Sequence, residues 1–172
     1  MPEDVVLKSL DTRGVATITL NRPNVFNGYN KELLLRLRKV FGELEENEAV
    51  RVIILRGAGK HFSAGADVNW FKELAAASPE QKLEAARLST GAMKDLNCCT
   101  KPTIALIHNA CYGGGTGYAA ACDIVIASED AQFAITEVRV GITPAPIIGE
   151  LVNAIGSRQL RRYASVSYTH LR

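Results

Sequence analysis

Aromatic residues are scarce in this chain: Phe, Tyr and Trp make up 6% of 172 residues, with a single tryptophan. A surface that stacks nucleobases needs more of them. Charge of one sign is equally lacking. Twenty Lys and Arg stand against eighteen Asp and Glu, a formal net charge of +2, and with no basic block a nucleic-acid partner is not expected. Apolar runs are short, because Arg51, Arg56 and similar charges interrupt every stretch, so no membrane span is expected. Residues 1–8 carry Glu3 and Asp4 and read as neither a signal nor a transit peptide. The four cysteines, Cys98, Cys99, Cys111 and Cys122, show no CxxC spacing. They read as reduced thiols in a cytoplasmic protein rather than as a zinc site or a disulfide framework. No G-x-S-x-G occurs, and His61, His108 and His170 have no nucleophile partner in sequence. Spacing for a metal site is missing too.

What is present is an ordinary globular mixture, 47% hydrophobic and 22% charged, long enough for one domain with a real core. Val15, Thr17 and Thr19 alternate with Ala16, Ile18 and Leu20, predicting a strand closed by Asn21-Arg22-Pro23. The period then changes. Leu33, Leu34, Leu37, Val40, Phe41 and Leu44 predict a helix over residues 30–46 with Asn30 as N-cap. Residues 50–55 predict a buried strand stopped by Gly57 and Gly59, and helices follow over 67–77 and 80–97, split at Ser78-Pro79. Strands are predicted at 102–107, 123–127 and 131–135, with a short helix near Ala119. A last helix begins near Pro144 or Pro146 and runs to Ile155, and residues 157–164 read as helical. Strands alternating with helices define an α/β fold whose loops carry the function.

Two glycine-bearing segments follow strands and open helices. The first is Gly57-Ala58-Gly59-Lys60-His61-Phe62-Ser63-Ala64-Gly65-Ala66-Asp67. It is no phosphate loop, because position 54 is Ile and Lys60 precedes His. It reads either as backbone held close to a ligand or as a tight turn capped by Asp67. The second is Cys111-Tyr112-Gly113-Gly114-Gly115-Thr116-Gly117-Tyr118. Gly115, Gly117 and Ala120 satisfy G-x-G-x-x-A, but the helix expected before Asp123 is short for a parallel crossover, which argues against a dinucleotide fold. Glu137 lies among apolar neighbours just after a predicted strand. Burial there would raise its pKa, as a proton-shuttling group needs; a loop glutamate paired with Arg139 is the plainer alternative.

Together these segments resemble the enoyl-CoA hydratase/isomerase (crotonase) family over residues 5–164. His61-Phe62-Ser63-Ala64-Gly65-Ala66-Asp67 is similar to the family's first oxyanion-hole loop. Gly113-Gly114-Gly115, Cys122-Asp123-Ile124 and residues 133–141 match its second half, and Leu20-Asn21-Arg22-Pro23 lies upstream. The resemblance implies a crotonase-like spiral of ββα units. It implies that the N–H groups of Ala66 and Gly114 bind the thioester oxygen, and that Glu137 is the acid/base. The substrate contacts it implies are Arg22, Asn27, Ser63, Ala64, Gly65, Asp67, Trp70, Gly113, Gly117, Ile142 and Pro144. No permanently bound cofactor and no metal are implied; coenzyme A arrives as part of the substrate. Its adenosine end is placed near residues 22–28 and 63–67, although Asn24-Val25-Phe26-Asn27 lacks the lysine or arginine common in that loop.

One departure bears on the reaction. The family's hydratases carry two glutamates, and this sequence has Gly117 where the first belongs. Residues 136–145 and 154–164 resemble the methylglutaconyl-CoA and isohexenylglutaconyl-CoA hydratases, which tend to have a small residue at that place. Hydration of a branched, carboxylated enoyl-CoA is therefore the favoured expectation. Isomerisation through Glu137 alone stands next, and a catalytically weak CoA-binding scaffold after it. Residues 1–164 read as the N-terminal core of a longer family chain lacking its C-terminal helices, which would form a homotrimer or hexamer at full length. Residues 165–172 read as a non-native tail. Such a chain is expected to expose Ile142, Ile147, Ile148, Leu151 and Ile155.

Overall fold

The structure, a computed structural model, describes residues 4–165. Two antiparallel strands open it, β1 (Val6–Leu10) and β2 (Val15–Leu20), followed by a short 3-10 turn at Pro23–Val25 and helix α1 (Lys31–Glu46). β3 (Val52–Gly57), α2 (Val68–Ala76), α3 (Pro79–Asn97) and β4 (Thr103–Ile107) come next. Then follow β5 (Ala110–Tyr112), α4 (Gly114–Ala121), β6 (Ile124–Ala127) and β7 (Gln132–Ala134). Two 3-10 turns, Glu137–Val140 and Ala145–Ile147, lead into α5 (Ile148–Ala164). Gly156, at φ 75° and ψ 156°, breaks α5 into the two helical stretches expected there.

The main sheet has the order β1-β2-β3-β4-β6, parallel from β2 onward. β5 and β7 form a separate parallel pair. Isolated parallel bridges, Ser63 to Cys111 and Tyr29 to Ala66, extend that small layer by two more segments. The glycine segments sit in this second layer.

The local signals act as expected. All six apolar residues of the α1 stripe are buried, and the Asn30 side chain accepts from Leu33 N at 2.9 Å. Ser78 and Gln81 form a reciprocal capping box at the start of α3. Ala16, Ile18 and Leu20 of β2 meet Ile53 and Leu55 of β3 and Ala105 and Ile107 of β4 in one buried core.

Three expectations need correction. β4 and β6 do pair in parallel. The crossover over residues 108–123 is long enough because it includes β5 as well as α4. β1 and β5 are additional strands. Ile147 and Leu151, expected on the surface, are buried at 1% and 6% exposure, whereas Ile142, Ile148 and Ile155 are indeed exposed. Ile147 is covered because it packs on Gly117. Of the proposed tail only Ser165 is described; the rest lies outside the described residues. No described helix is long and apolar enough to cross a membrane.

Asn30→Ala removes the α1 cap and is expected to lower stability by about 1 kcal/mol. Urea unfolding monitored by circular dichroism reads this as a lower midpoint at unchanged slope.

Candidate active site

Assembly of the site begins at Asn27. Its side chain is fully buried, accepts from Arg22 N at 2.9 Å and donates to Ala58 O and His61 O, both at 2.8 Å. Its carbonyl accepts from Ser63 Oγ at 3.0 Å. One amide thus joins the loop after β2 to the loop after β3. That union brings Tyr29 alongside the second loop: Tyr29 N donates to Gly65 O and Asp67 N donates to Tyr29 O, both at 2.9 Å.

Because residues 65 and 67 turn their peptide groups toward Tyr29, the alternation of an extended chain turns the Ala66 N–H the other way. The glycine cluster lies nearby. Gly65, at φ +93°, packs so closely that a Cβ there would stand 3.0 Å from Tyr112 O and 3.5 Å from Gly114 N. Gly113, at φ +50°, is the N-cap of α4. Gly114 begins that helix, where an N–H has no intrahelical acceptor. Neither the Ala66 nor the Gly114 N–H has an acceptor among the described residues. Two donors on adjacent segments are left for an oxygen from outside.

Glu137 stands beside them. A Cβ on Gly113 would lie 2.8 Å from Glu137 Oε1, so the carboxylate rests against a bare glycine α-carbon. Its Oε2 is buried and has no hydrogen-bond partner among the described residues. Burial pushes the carboxyl pKa up, against the opposing pull of the Glu137 and Thr136 N–H groups. Arg139, the alternative partner, forms no ion pair with it. A half-buried carboxylate short of partners, next to two unengaged N–H groups, can take up and return a proton where an anion is being stabilised.

Ala66 and Glu137 open on a cavity of about 400 Å³, lined also by Tyr29, Trp70, Ile142 and Pro146 among others, with Lys82 of α3 at its edge. A larger groove of about 590 Å³ runs past Ala119, Cys122, Phe133, Leu151 and Ile155. It contains neither the paired N–H groups nor Glu137, so chemistry and not volume identifies the site. The loop is braced at its end by the Arg22–Asp67 ion pair (2.8 Å), while Arg22 Nη1 donates to the Gly28 carbonyl. Burial works against the Asp67 carboxylate, but Arg22 and the N–H groups of Asn69 and Trp70 outweigh it and hold its pKa below the usual range.

Of the residues singled out in the sequence, Ala66, Gly114 and Glu137 come together, and Trp70 and Ile142 line the cavity beside them. Gly65 and Gly113 form the walls, and Ala64 N holds the loop to Phe26 O at 2.9 Å. The side chains of Arg22, Asn27, Ser63 and Asp67 are engaged within the protein, so they brace the loops rather than reach into the cavity. Two expectations fail on geometry. Gly117 faces Ile147 and Met93 in the core, where a Cβ would come within 2.9 Å of Ile147 Cβ. Pro144 is buried outside the cavity, and Pro146 stands in the lining instead. Tyr29 and Lys82 were not anticipated; only their placement by the fold distinguishes them from other surface and core residues.

A sequence profile of the enoyl-CoA hydratase/isomerase family matches residues 11–168. The chain is 36% identical to a peroxisomal Delta(3,5)-Delta(2,4)-dienoyl-CoA isomerase of Arabidopsis thaliana, over 81% of this chain and 53% of that protein. It is 39% identical to a short-chain-enoyl-CoA hydratase of Clostridium acetobutylicum, over 76% of this chain and 49% of that one. An enoyl-CoA hydratase structure from Shewanella pealeana superposes with a TM-score of 0.92 at 34% identity, covering 95% of this chain and 61% of the other. The fold and the paired N–H groups define a crotonase-like α/β protein. The chain belongs to the enoyl-CoA hydratase/isomerase family, and it spans about half the length of the curated relatives it matches.

Glu137→Gln tests the electrostatics of the site. The unfolded acid titrates near 4.5 and the folded one higher, so wild type loses stability as pH rises from the first value to the second. The glutamine variant is expected to melt at a higher temperature than wild type at neutral pH. The gain should close at about pH 4 and below, where both states are protonated. Thermal melts across that range read the difference, and a gain independent of pH would contradict the assignment.

Proposed function

We propose that the protein adds water across the double bond of an α,β-unsaturated acyl-CoA thioester whose acyl group is branched or carboxylated. The observation that carries this reading is that Ala66 and Glu137 line one cavity while Gly114 N lies 3.5 Å from where a Cβ on Gly65 would stand, so that two N–H groups and a carboxylate with one unpartnered oxygen stand close together. Negative charge that develops on the thioester oxygen as water adds would fall between the two donors, each typically worth about 3 kcal/mol to a transition state. Glu137 accepts the proton of the attacking water and returns it to the α-carbon. The raised pKa suits both directions of that transfer.

Support for a carboxylated acyl group comes from Lys82, a cation at the edge of an otherwise largely apolar cavity. The adenosine end of coenzyme A is assigned to the outer side of residues 22–28 and 63–67, on the reading of the family resemblance. A cytoplasmic setting fits the four free thiols, and trimeric assembly would cover the exposed Ile124, Val125 and Ile126 of β6. A second reading, double-bond migration between C2 and C4, is favoured by the single carboxylate and by the dienoyl-CoA isomerase among the relatives.

Product analysis separates the readings. In deuterated water, a 3-methylglutaconyl-CoA is expected to gain water, while migration without added mass on a 3-enoyl-CoA would replace the proposal with the isomerase. Glu137→Gln should lower turnover by about 10²–10⁴-fold with thioester binding retained, and binding without any turnover in wild type would indicate a scaffold. Restoring the second glutamate by Gly117→Glu is expected to fail. Its side chain has to displace Ile147, and overpacking of this kind costs about 1–3 kcal/mol or more, which a lowered melting temperature would show.

A further inference from the structure

Hydration with a single carboxylate requires a further group that holds the attacking water. Tyr29 is 7% exposed and lines the same cavity as Ala66 and Glu137. A Cβ on Gly114 would meet its ring edge and stand 2.8 Å from its hydroxyl oxygen, so the phenol lies against the residue that supplies one oxyanion donor. The ring is fixed by edge-to-face contacts with Trp70 at 5.9 Å and Tyr118 at 6.2 Å. No described residue hydrogen-bonds the hydroxyl, and it is not among the buried polar atoms left without a partner, as the Tyr118 hydroxyl is. Burial, aided by the Glu137 charge, holds the phenol pKa well above its ordinary value, so it stays a neutral O–H able both to donate and to accept.

We propose that Tyr29 is a catalytic residue whose hydroxyl anchors the attacking water between itself and the Glu137 carboxylate. The proposal rests on the hydratase reading of the same site. As the water oxygen bonds to C3, one water proton passes to Glu137. The C2–C3 π pair moves to form the enolate, whose charge settles on the thioester oxygen between Ala66 and Gly114. Glu137 then returns the proton to C2, so that the net change is one water added. The Tyr29 proton is not consumed; its oxygen only holds and orients the water. Phenylalanine would fill the same space, so the ring accounts for packing and the oxygen for chemistry.

The test compares wild type with Tyr29→Phe on the 172-residue chain, after melting curves show that the variant is folded. Two rates are followed: hydration of 3-methylglutaconyl-CoA, and deuterium uptake at the α-carbon of a saturated acyl-CoA, which requires Glu137 and the oxyanion donors but no attacking water. Hydration is expected to fall by about 10²-fold while exchange changes by less than about threefold. Hydration within threefold of wild type would overturn the role of Tyr29. A parallel fall in both rates would make Tyr29 a packing residue and overturn it equally. Wild type that exchanges but yields no hydrated product overturns the water anchor while leaving Glu137 as acid/base. Wild type that does neither refutes the underlying reading of the site, and the inference with it.

Discussion

The amide of Asn27 is the interaction on which the site depends. It is fully buried, and its hydrogen bonds all run to backbone groups of two loops far apart in sequence. Water cannot replace those partners, so losing the amide would strand several buried polar groups at about 1–3 kcal/mol each. The register of Tyr29 against residues 65 and 67 follows from that junction, and the direction of the Ala66 N–H follows from the register. The direction of the Ala66 N–H is thereby fixed by a side chain that is itself buried away from the cavity.

The other half of the site is governed by what has been left out. Side chains at Gly65, Gly113 and Gly114 would collide with Tyr112, Glu137 and Tyr29 respectively. Their absence lets three segments approach within contact of one another and leaves the amides uncovered. The Glu137 carboxylate occupies the space so created without acquiring a compensating cation. The Arg22–Asp67 pair, by contrast, is matched in charge and holds the loop still. Rigidity and reactivity are thus assigned to different ionic groups.

Much of this was legible in the sequence where the cause is local. The α1 stripe, the Asn30 and Asp67 caps and the Ser78-Pro79 helix start each depend on residues within a turn of one another. β1 escaped notice because four of its five residues are exposed and its apolar signal is weak. β5 escaped because three residues running into glycines have no period of their own; they become a strand only by pairing with Ser63 and β7. The convergence of Ala66, Gly114 and Glu137 was accessible through family resemblance and not through spacing, since a backbone donor places little demand on side-chain identity. Asn27 and Ser63 were expected as substrate contacts; their side chains are instead buried and bonded between loops, a property of the folded chain that the sequence does not display.

The contact between Gly117 and Ile147 also sets the order in which this protein could change its chemistry. A residue larger than glycine at 117 meets a branched side chain that is 1% exposed and held against Met93 and the start of α5. A second acid therefore cannot be gained in one mutational step. Ile147 would have to shrink first, leaving a core void that itself lowers stability, before position 117 could accept a longer side chain. The two sites are epistatic: each change is harmful alone, and the one at 117 is tolerable only after Ile147 has shrunk. A lineage that has filled this space with isoleucine keeps position 117 at glycine until its stability can absorb the intermediate.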